Sequence, residues 1–430
     1  MKKIVLFGVL VLAGVLSLQA QDRPHVFEGA EIIPIVGEPI SNGVLIVQNG
    51  EITAIGSSGS VTIPRNAVRH DVSGKVIMPG LVDTHSHIGE GDGGDRSSAL
   101  HPDVRIMDTI DPMSKTFRKA MAGGVTTANI MPGSGLLMSG QTVYVKTKPY
   151  TTIEQMLIYV DEESGIYGGL KMANGTNPLR ANGSPGTRAK SAALVRELFL
   201  KAQDYKKKVD EAAGDPEKMP SRDLQMETLV EVLEGKRIVH NHTHRHDDIL
   251  TAIRLSEEFG YRLVLQHVSE AWKVAEEIAA SNVIGSSVIG LDSPGGKMEA
   301  INLLNINGRE LEKAGAPVAF HTDDPIVDSR FFLRMAAMGV QEGMSRTKAL
   351  EALTITGARM MDLEDRVGSL EVGKHADLLI LSGDPFSVYT KVEQTWIEGE
   401  KVWDRSNPED RVYATGGYDI FRFTNMHLHD

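Results

Sequence analysis

The segment RIVHNHTHRHDDILTAIRLSEEFGYRLVLQH, residues 237–267, contains two apolar runs separated by one amphipathic stretch. Its first and last parts have the composition of strands. The middle part, from Asp247 to Phe259, has apolar residues at helical spacing, with acids at its start and Gly260 directly after it. A strand, a helix and a second strand at this spacing predict a βαβ unit with parallel strands. The segment therefore favours the α/β class.

The alternation of strand-like and helix-like runs continues on both sides of this segment. Further strand-like runs are VTTANIMPG (125–133), GIYGGLKMANG (165–175), NVIGSSVIG (282–290) and PVAFHTDDP (317–325), and further helix-like runs are SEAWKVAEEIAAS (269–281), INGRELEKAGA (306–316) and the charged stretch 190–217. About eight such units within residues 79–365 predict a (β/α)8 barrel of the TIM type rather than an open sheet.

The two ends of the chain have a different pattern. Short β-rich runs separated by Asn-Gly and Gly-Glu turns fill residues 21–78, and similar runs return in residues 366–405. We predict that these two pieces together form one small β-sandwich domain beside the barrel. Residues 406–430 are then a C-terminal tail.

The composition of the 430 residues limits the classes of function. A hydrophobic content of 41% and a charged content of 24% are typical of a globular protein with a full core. The formal net charge of −12 argues against a nucleic-acid partner, because a phosphate backbone requires a basic surface. The chain has no cysteine, which excludes disulfides, thiolate metal ligands and a cysteine nucleophile. Any metal must be held by nitrogen and oxygen.

The first twenty residues, MKKIVLFGVLVLAGVLSLQA, have the pattern of an export signal. Lys2 and Lys3 precede an apolar run, the small residue Ala20 closes it, and polar residues follow at once. The alternative is an uncleaved membrane anchor, for which the run is short, because a spanning helix needs about 20 apolar residues. We predict cleavage of residues 1–20, a periplasmic or secreted location, and no stable membrane association of the mature chain.

Polar residues stand where several of the predicted barrel strands end. In PGLVDTHSH (79–87), Asp83, His85 and His87 occupy alternate positions and so share one face of a strand. The other candidates at strand ends are Lys171, His240, His242, His244, His267 and Asp323. Any one of these histidines alone is typical of an ordinary core or surface position. Together they indicate a metal site, because the carboxyl ends of barrel strands converge and imidazoles with a carboxylate suit a metal such as zinc.

The order His-x-His, lysine, histidine, histidine, aspartate resembles that of the amidohydrolase superfamily of metal-dependent hydrolases. PGLVDTHSH is similar to the first-strand motif of that family, and ALTITGARMMDLEDRVGSLEVGKHADLLIL (352–381) is similar to its closing segment. KMANGTNP (171–178) and NHTHRHDDI (241–249) have counterparts in the imidazolonepropionase-related and prolidase-like branch. The resemblance spans nearly the whole mature chain.

The resemblance implies a role for each candidate residue. His85 and His87 would bind one metal ion with Asp323, Lys171 would be a carboxylated lysine that bridges two ions, and His242 and His267 would hold the second ion. His242 is preferred to His240 and His244 for its position before the DDI helix start. Candidate substrate contacts are His244, Arg180 and Arg188, whose guanidinium groups would suit a substrate carboxylate.

The activity implied by the resemblance is hydrolysis of an amide C–N bond in a small molecule, dipeptide-type or non-peptide, by metal-activated hydroxide. Asp323 would act as general base and then as general acid. Two zinc ions are favoured over one, although relatives with a single ion and no lysine ligand exist. Asp324 stands where relatives often have a histidine.

Two other functions remain open at this point. One is a deaminase or cyclic amidase of the same superfamily with a single metal ion. The other is a scaffold without catalysis, which the complete set of candidate ligands disfavours. The sequence does not identify the substrate, and it leaves a homo-oligomer open.

Overall fold

The computed structural model describes residues 23–181, 183–289, 297–417 and residue 420, so the predicted export signal lies outside the described residues. The strands in these ranges are β1 His25–Ile32, β2 Ile40–Gln48, β3 Glu51–Ser57, β4 Val68–Asp71, β5 Val76–Pro79, β6 Leu81–Ser86, β7 Val125–Ile130, β8 Met138–Gln141, β9 Val143–Lys146, β10 Leu170–Ala173, β11 Val239–Thr243, β12 Leu263–His267, β13 Gly285–Ile289, β14 Val318–His321, β15 Leu378–Leu381, β16 Val392–Ile397 and β17 Glu400–Asp404. The α-helices are α1 Lys115–Ala122, α2 Arg188–Ala212, α3 Leu224–Leu233, α4 His246–Phe259, α5 Ala275–Ala280, α6 Asn307–Ala314, α7 Arg334–Gln341, α8 Arg346–Ala352, α9 Ile355–Arg359 and α10 Pro408–Thr415.

The βαβ unit predicted from residues 237–267 is confirmed as β11, α4 and β12. The two strands pair in parallel, with His240 opposite Val264. Helix α4 ends at Gly260, which has a φ of 74° and donates its N–H to the carbonyl of Ser256 at 2.7 Å. Glycine adopts this left-handed conformation without the steric cost that a Cβ would bring, so its position fixes the helix end.

Seven parallel strands in the described residues belong to two separate hydrogen-bonded sheets. Strands β10 to β14 pair in chain order, and β8 pairs with β10 in the antiparallel sense. Strands β6 and β7 pair in parallel, and β9 pairs with β7 in the antiparallel sense. Nearly every side chain of these strands is buried, as expected for parallel strands covered by helices.

The described residues form an α/β fold as expected, but their hydrogen bonds do not close the predicted barrel of about eight parallel units. Between β7 and β10 the wall contains the antiparallel strands β8 and β9 instead of a further parallel unit. Strands β6 and β14 lie side by side but share no ladder. Individual hydrogen bonds join them, from Asp323 N to the carbonyl of His85 at 2.9 Å and from His87 N to the carbonyl of Asp324 at 3.1 Å.

Both ends of the described chain contribute to one further sheet. Its strand order is β17-β16-β15-β5-β1-β2-β3, with β4 also paired to β1. Where we predicted a β-sandwich, the hydrogen bonds connect these eight strands as one continuous sheet. Phe27, Ile77 and Trp396 pack in its apolar core. A buried ion pair between Lys146 of β9 and Asp377, just before β15, links this sheet to the three-stranded sheet of β6, β7 and β9.

The C-terminal tail begins with a helix. Residues 408–415 form α10, which packs against α1, and Arg330 donates a hydrogen bond to the carbonyl of Gly416 at 2.9 Å. Residues 418–419 and 421–430 lie outside the described residues. Across the described ranges, none of the helices has the length and apolarity that crossing a membrane requires.

Candidate metal centre

The carboxyl end of β6 brings His85 and His87 against Asp323, which follows β14. The Nε2 atoms of His87 and His85 lie 3.0 Å and 3.4 Å from Oδ1 of Asp323. The carbonyl of Met131 accepts a hydrogen bond from Nδ1 of His87 at 2.8 Å, so in the neutral ring Nε2 keeps the lone pair. Burial and the nearby charge of Lys171 lower the pKa of His85 well below its ordinary value. The group offers two imidazoles and a carboxylate to one divalent ion.

A second group of potential ligands forms where β11 and β12 end. One nitrogen from each of His242, His244 and His267 lies within 4.8 Å of the others. Burial lowers the pKa of His242 to about 4 and holds those of His244 and His267 well below the ordinary value. Nδ1 of His244 bonds to Oγ of Ser269 at 2.6 Å, which leaves its Nε2 facing the group. Neutral imidazoles in this arrangement suit a second ion.

His240, the third alternative on β11, lies outside both groups. The Nε2 atom of the Gln266 amide can only donate, so Nδ1 of His240 accepts at 3.1 Å, and Nε2 of His240 bonds to the hydroxyl of Tyr144 at 3.0 Å. Both ring nitrogens are therefore engaged in the core. The structure brings His242 and His244 together and separates His240 from them.

Lys171 on β10 lies between these groups with its side chain fully buried. Its Nζ is 3.1 Å from Nε2 of His85 and 3.1 Å from Sδ of Met131. Burial lowers the pKa of Lys171 to about 7, and the charge of Asp323 opposes that shift only in part. A large fraction of the amine is therefore uncharged near neutral pH.

His321 is a further member of the centre that the sequence analysis missed. Its Nε2 lies 3.1 Å from Nδ1 of His267, and its Nδ1 bonds to Oγ of Ser287 at 2.8 Å. His85, His267 and His321 form a third group whose ligand atoms all lie within 4.8 Å of one another. The signal was in the sequence, because His321 precedes Asp323 by two positions and so shares its face of the chain.

Two residues of the centre have strained backbones. His267 has a φ of 73° and Asp323 a φ of 51°, both in the left-handed region that residues other than glycine rarely adopt. Such conformations persist only where the surroundings hold them, and they cluster at functional sites. The hydrogen bond from the N–H of Asp323 to the carbonyl of His85 helps to keep Asp323 in this conformation.

Glu299 provides a second carboxylate beside the centre, and nothing in the sequence pattern singled it out. Its side chain is fully buried, and its Oε1 lies 3.2 Å from Nε2 of His242 and 3.8 Å from Nε2 of His244. Both the N–H and the hydroxyl of Thr176 donate to its Oε2 at 2.6 Å. Burial raises the pKa of Glu299, but the hydrogen bond and charge of His242 outweigh burial and hold it well below the ordinary value.

Asn177 and Lys297 complete this side of the centre. With its amide oxygen turned toward the donors, Asn177 accepts from Nζ of Lys297 at 3.0 Å and from Oγ of Ser134 at 2.6 Å, and it donates to Oε1 of Glu299 at 3.0 Å. The charge of Lys297 is close enough to contribute to lowering the pKa of His242.

The donor set fits divalent metal ions. All donors are nitrogen and oxygen, and the buried Nδ1 of His242, whose Nε2 faces Glu299, has no hydrogen-bond partner among the described residues. A buried polar atom without a partner carries a desolvation cost that a metal bond would remove. Imidazole ligands together with carboxylate oxygen match zinc or a similar divalent ion.

The structure and sequence agree closely with those of a solved bacterial protein. An amidohydrolase from Thermotoga maritima MSB8 is 33% identical, with a TM-score of 0.82 over 89% of this chain and 100% of that chain. This chain belongs to the amidohydrolase superfamily. The model described as amidohydrolase family also matches residues 243–403 of this amidohydrolase.

Relatives of this amidohydrolase carry names of enzymes that act on carbon–nitrogen bonds. An imidazolonepropionase from Fusobacterium nucleatum is 21% identical over 388 residues, covering 81% of this chain and 87% of that protein. The amidohydrolase tasK of Hapsidospora irregularis is 25% identical over 84% of this chain, which spans only 40% of that longer protein. A putative prolidase from Bifidobacterium longum shares the fold, with a TM-score of 0.56 and 18% identity. The amidohydrolase is therefore an enzyme of a C–N-bond family.

The arginines predicted to contact substrate are engaged elsewhere in the amidohydrolase. Arg188 forms an ion pair with Asp248, and the distances from its Nε to the two carboxylate oxygens are 2.8 Å and 3.0 Å. Arg180 donates to the carbonyl of Gly135 at 2.5 Å. Asp324 likewise accepts from Lys119 at 2.7 Å and is buried. Lys297 is the cation that the structure places beside the candidate ligands.

Proposed function

We propose that this amidohydrolase is a two-metal hydrolase that cleaves the amide C–N bond of a small molecule. The observation that carries the proposal is Lys171, a fully buried lysine whose Nζ lies 3.1 Å from Nε2 of His85. An uncharged lysine amine buried among candidate metal ligands contributes to the chemistry of the site if it is carboxylated or binds a metal ion. In this proposal, β6 and β14 are neighbouring strands in the wall of one TIM-type barrel.

The ligands divide between two ions. His85, His87 and Asp323 would hold the first, and His242 and His267, with His244 beside them, would hold the second. Zinc is the ion that we propose. When bound, such ions lower the pKa of water from about 15.7 to about 7 and polarise a substrate carbonyl.

Lys171 would connect the two ions as a carbamate. Burial lowers its pKa to about 7, so the free amine needed to capture carbon dioxide is present at neutral pH. Carboxylation of the neutral amine gives an anion and releases one proton. This change also adds negative charge to a centre whose imidazole ligands are neutral, which favours two divalent ions over one.

Asp323 would move the proton during the reaction. Its carboxylate lies against His87 and His85, and its backbone is held in a strained conformation that fixes the direction of the side chain. It accepts a proton from the attacking water and then donates that proton to the amide nitrogen, which leaves poorly unless it is protonated. The carboxylate of Asp323 would thus serve as both the general base and the general acid.

Substrate recognition would involve Lys297 in place of the two arginines considered first. Its ammonium bonds to Asn177 and makes no ion pair with any acid in the described ranges. A cation at this position suits an anionic group on the substrate, as in a dipeptide or an N-acyl amino acid.

Metal stoichiometry and carbamate detection test this function together. Plasma mass spectrometry should find two metal ions per chain in the native enzyme and about one in Lys171→Ala. Incubation with ¹³C-labelled bicarbonate should give a carbamate carbon signal in the native enzyme only. A panel of N-acyl amino acids and dipeptides should release amino acids. Ammonia release from a cyclic substrate by an enzyme with one ion would establish the deaminase alternative instead.

Export of the mature chain is a separate proposal, supported by the sequence of residues 1–20. Amino-terminal sequencing of the protein from a periplasmic or culture fraction should begin directly after Ala20. Recovery of the protein only from the membrane fraction, with Met1 retained, would contradict it.

A further inference from the structure

A cavity of about 490 Å³ lies between α2, α4 and the strands β10 and β11. Met172 and Asn241 line it, whereas their strand neighbours Lys171 and His242 belong to the candidate metal centre. Because successive side chains of a strand point to opposite faces, the cavity and the metal centre lie on opposite sides of the same two strands. The cavity is therefore a separate space.

The floor of the cavity is apolar, and one polar atom beside it has no partner. Leu137, Met172 and Val195 are buried in its wall. Arg188 pairs with Asp248 through its Nε, while its Nη2 is buried without a hydrogen-bond partner among the described residues. A water-sized group in the cavity does not reach this buried atom, so the guanidinium of Arg188 stays committed to Asp248 and is not a donor to the cavity.

The charges around the cavity leave one cation without an acid. Asp248 is paired with Arg188, and Asp247 with Arg245. Arg254 on α4 donates to Oγ1 of Thr251 at 2.8 Å and forms no ion pair within the residues that the structure describes. An apolar floor with the unmatched guanidinium of Arg254 beside it favours an anion attached to an apolar body.

The cavity also contacts the backbone of a candidate metal ligand. The N–H of Asn174 and the side-chain amide of Asn241 donate to the carbonyl oxygen of His242 at 3.1 Å and 3.0 Å. The side chain of Asn174 also donates to the carbonyl of Asp248 at 2.7 Å. Both asparagines line the cavity, so a ligand there would alter the hydrogen bonds that position the backbone of His242.

We propose that this cavity is a second ligand site, which binds a small carboxylate on a short apolar chain and whose occupancy alters the metal centre through His242. The carboxylate would accept hydrogen bonds from Arg254, and the chain would lie on Met172 and Val195. The site goes beyond the proposed hydrolysis and does not depend on the identity of the substrate.

Hexanoate is a suitable probe, with hexan-1-ol and acetate as matched controls that lack the charge or the apolar chain. Isothermal titration of the full-length, metal-loaded protein should show one equivalent of hexanoate bound at least about tenfold more tightly than either control, a difference of about 1.4 kcal/mol. Equal binding of acetate, equal binding of hexan-1-ol, or no binding of hexanoate would overturn the proposal.

Variants locate the binding. Ala192→Phe places a ring in the cavity and should abolish hexanoate binding, and Arg254→Gln should weaken it without touching the core. Lys190→Gln removes the same charge from α2 outside the cavity and should leave the affinity unchanged. Since hexanoate could also bind a metal ion, the titration is repeated on protein stripped of metal, where binding should persist. Binding that requires metal and survives Ala192→Phe belongs to the metal centre and refutes the cavity site.

The effect of cavity occupancy on the metal centre is measured separately, through the rate of metal loss. Metal loss to a chelator, followed with a chromogenic indicator, should change in rate by about threefold when hexanoate saturates the native protein. The rate should not respond to hexanoate in Ala192→Phe. An unchanged rate in the native protein despite bound hexanoate would disprove the coupling. None of these measurements requires hydrolysis, so they stand or fail independently of the proposed function.

Discussion

Lys119 of α1 and Asp324, directly after β14, form a buried ion pair in which Nζ and Oδ1 are 2.7 Å apart. The other carboxylate oxygen accepts the N–H of Ser329 at 2.8 Å. The pair holds the chain immediately after Asp323, and the carbonyl of Asp324 accepts the N–H of His87 at 3.1 Å. One helix, one strand end and two candidate ligands are thus tied together where the two parallel sheets meet.

Removing one partner of this pair should strongly destabilise the fold. Lys119→Met leaves the Asp324 carboxylate buried without its cation, which costs roughly 3–5 kcal/mol in comparable cases. Urea unfolding followed by circular dichroism measures the change. The double variant Lys119→Met with Asp324→Asn should recover much of the loss, because the uncompensated charge is gone. A double variant that is less stable than both single variants would contradict this account.

Asp323→Asn should preserve the fold and nearly abolish turnover. The amide can neither accept the proton of the attacking water nor return it to the leaving nitrogen, and loss of general acid–base catalysis costs about 10²–10⁴-fold in rate. Steady-state assays give kcat, and the melting temperature controls for folding. A kcat close to that of the native enzyme would remove Asp323 from the mechanism.

Much of this centre could be predicted from the sequence, because strand periodicity and the order of the motifs carry the information. His85, His87, Lys171, His267 and Asp323 stand at strand ends, and the structure brings them together. The pattern at β11 could not separate His240 from His242, since both lie on the same face. Only the packing of Tyr144 and Gln266 around His240 decides between them.

Other features depend on tertiary contacts that no local pattern encodes. Glu299 lies in a single 3-10 turn, Met298–Ala300, and reaches the centre because Thr176 anchors its carboxylate. The ion pair of Arg188 depends on α2 and α4 packing together, so the sequence alone could not show that its guanidinium is engaged. The antiparallel strands β8 and β9 were not predicted for a similar reason, because they have ordinary strand composition and only their pairing partners reveal the antiparallel sense.

His242 and His240 should respond differently to replacement by alanine. His242→Ala should lower the metal content, because one of the ligands of the second group is lost. His240→Ala should retain the metal and lose stability instead, since it removes hydrogen bonds to Tyr144 and Gln266 in the core. Plasma mass spectrometry and thermal unfolding distinguish the two effects. Metal loss in His240→Ala with full retention in His242→Ala would reverse the assignment.

His70 should make the stability of the protein depend on pH below neutrality. It lies in the sheet formed by both chain ends, with its Nε2 3.0 Å from Nδ1 of His25 and its ring stacked on Phe27 at 4.8 Å. Burial lowers its pKa, with smaller contributions from the charges of His25 and Lys401. The unfolded chain therefore binds a proton at His70 at a higher pH than the folded chain does. The stabilisation is complete above pH about 6.5 and is lost as the pH falls below that value.

The measurement is the free energy of unfolding between pH 8 and pH 5 for the native protein and for His70→Phe. The phenyl ring keeps the stacking on Phe27 but cannot take up a proton, so the variant should lose less stability than the native protein as the pH falls. The difference between the two at pH 8 reports packing and the lost hydrogen bond to His25, because His70 is neutral there in both the folded and the unfolded chain. Identical pH slopes would show that His70 contributes nothing to the acid sensitivity of this sheet.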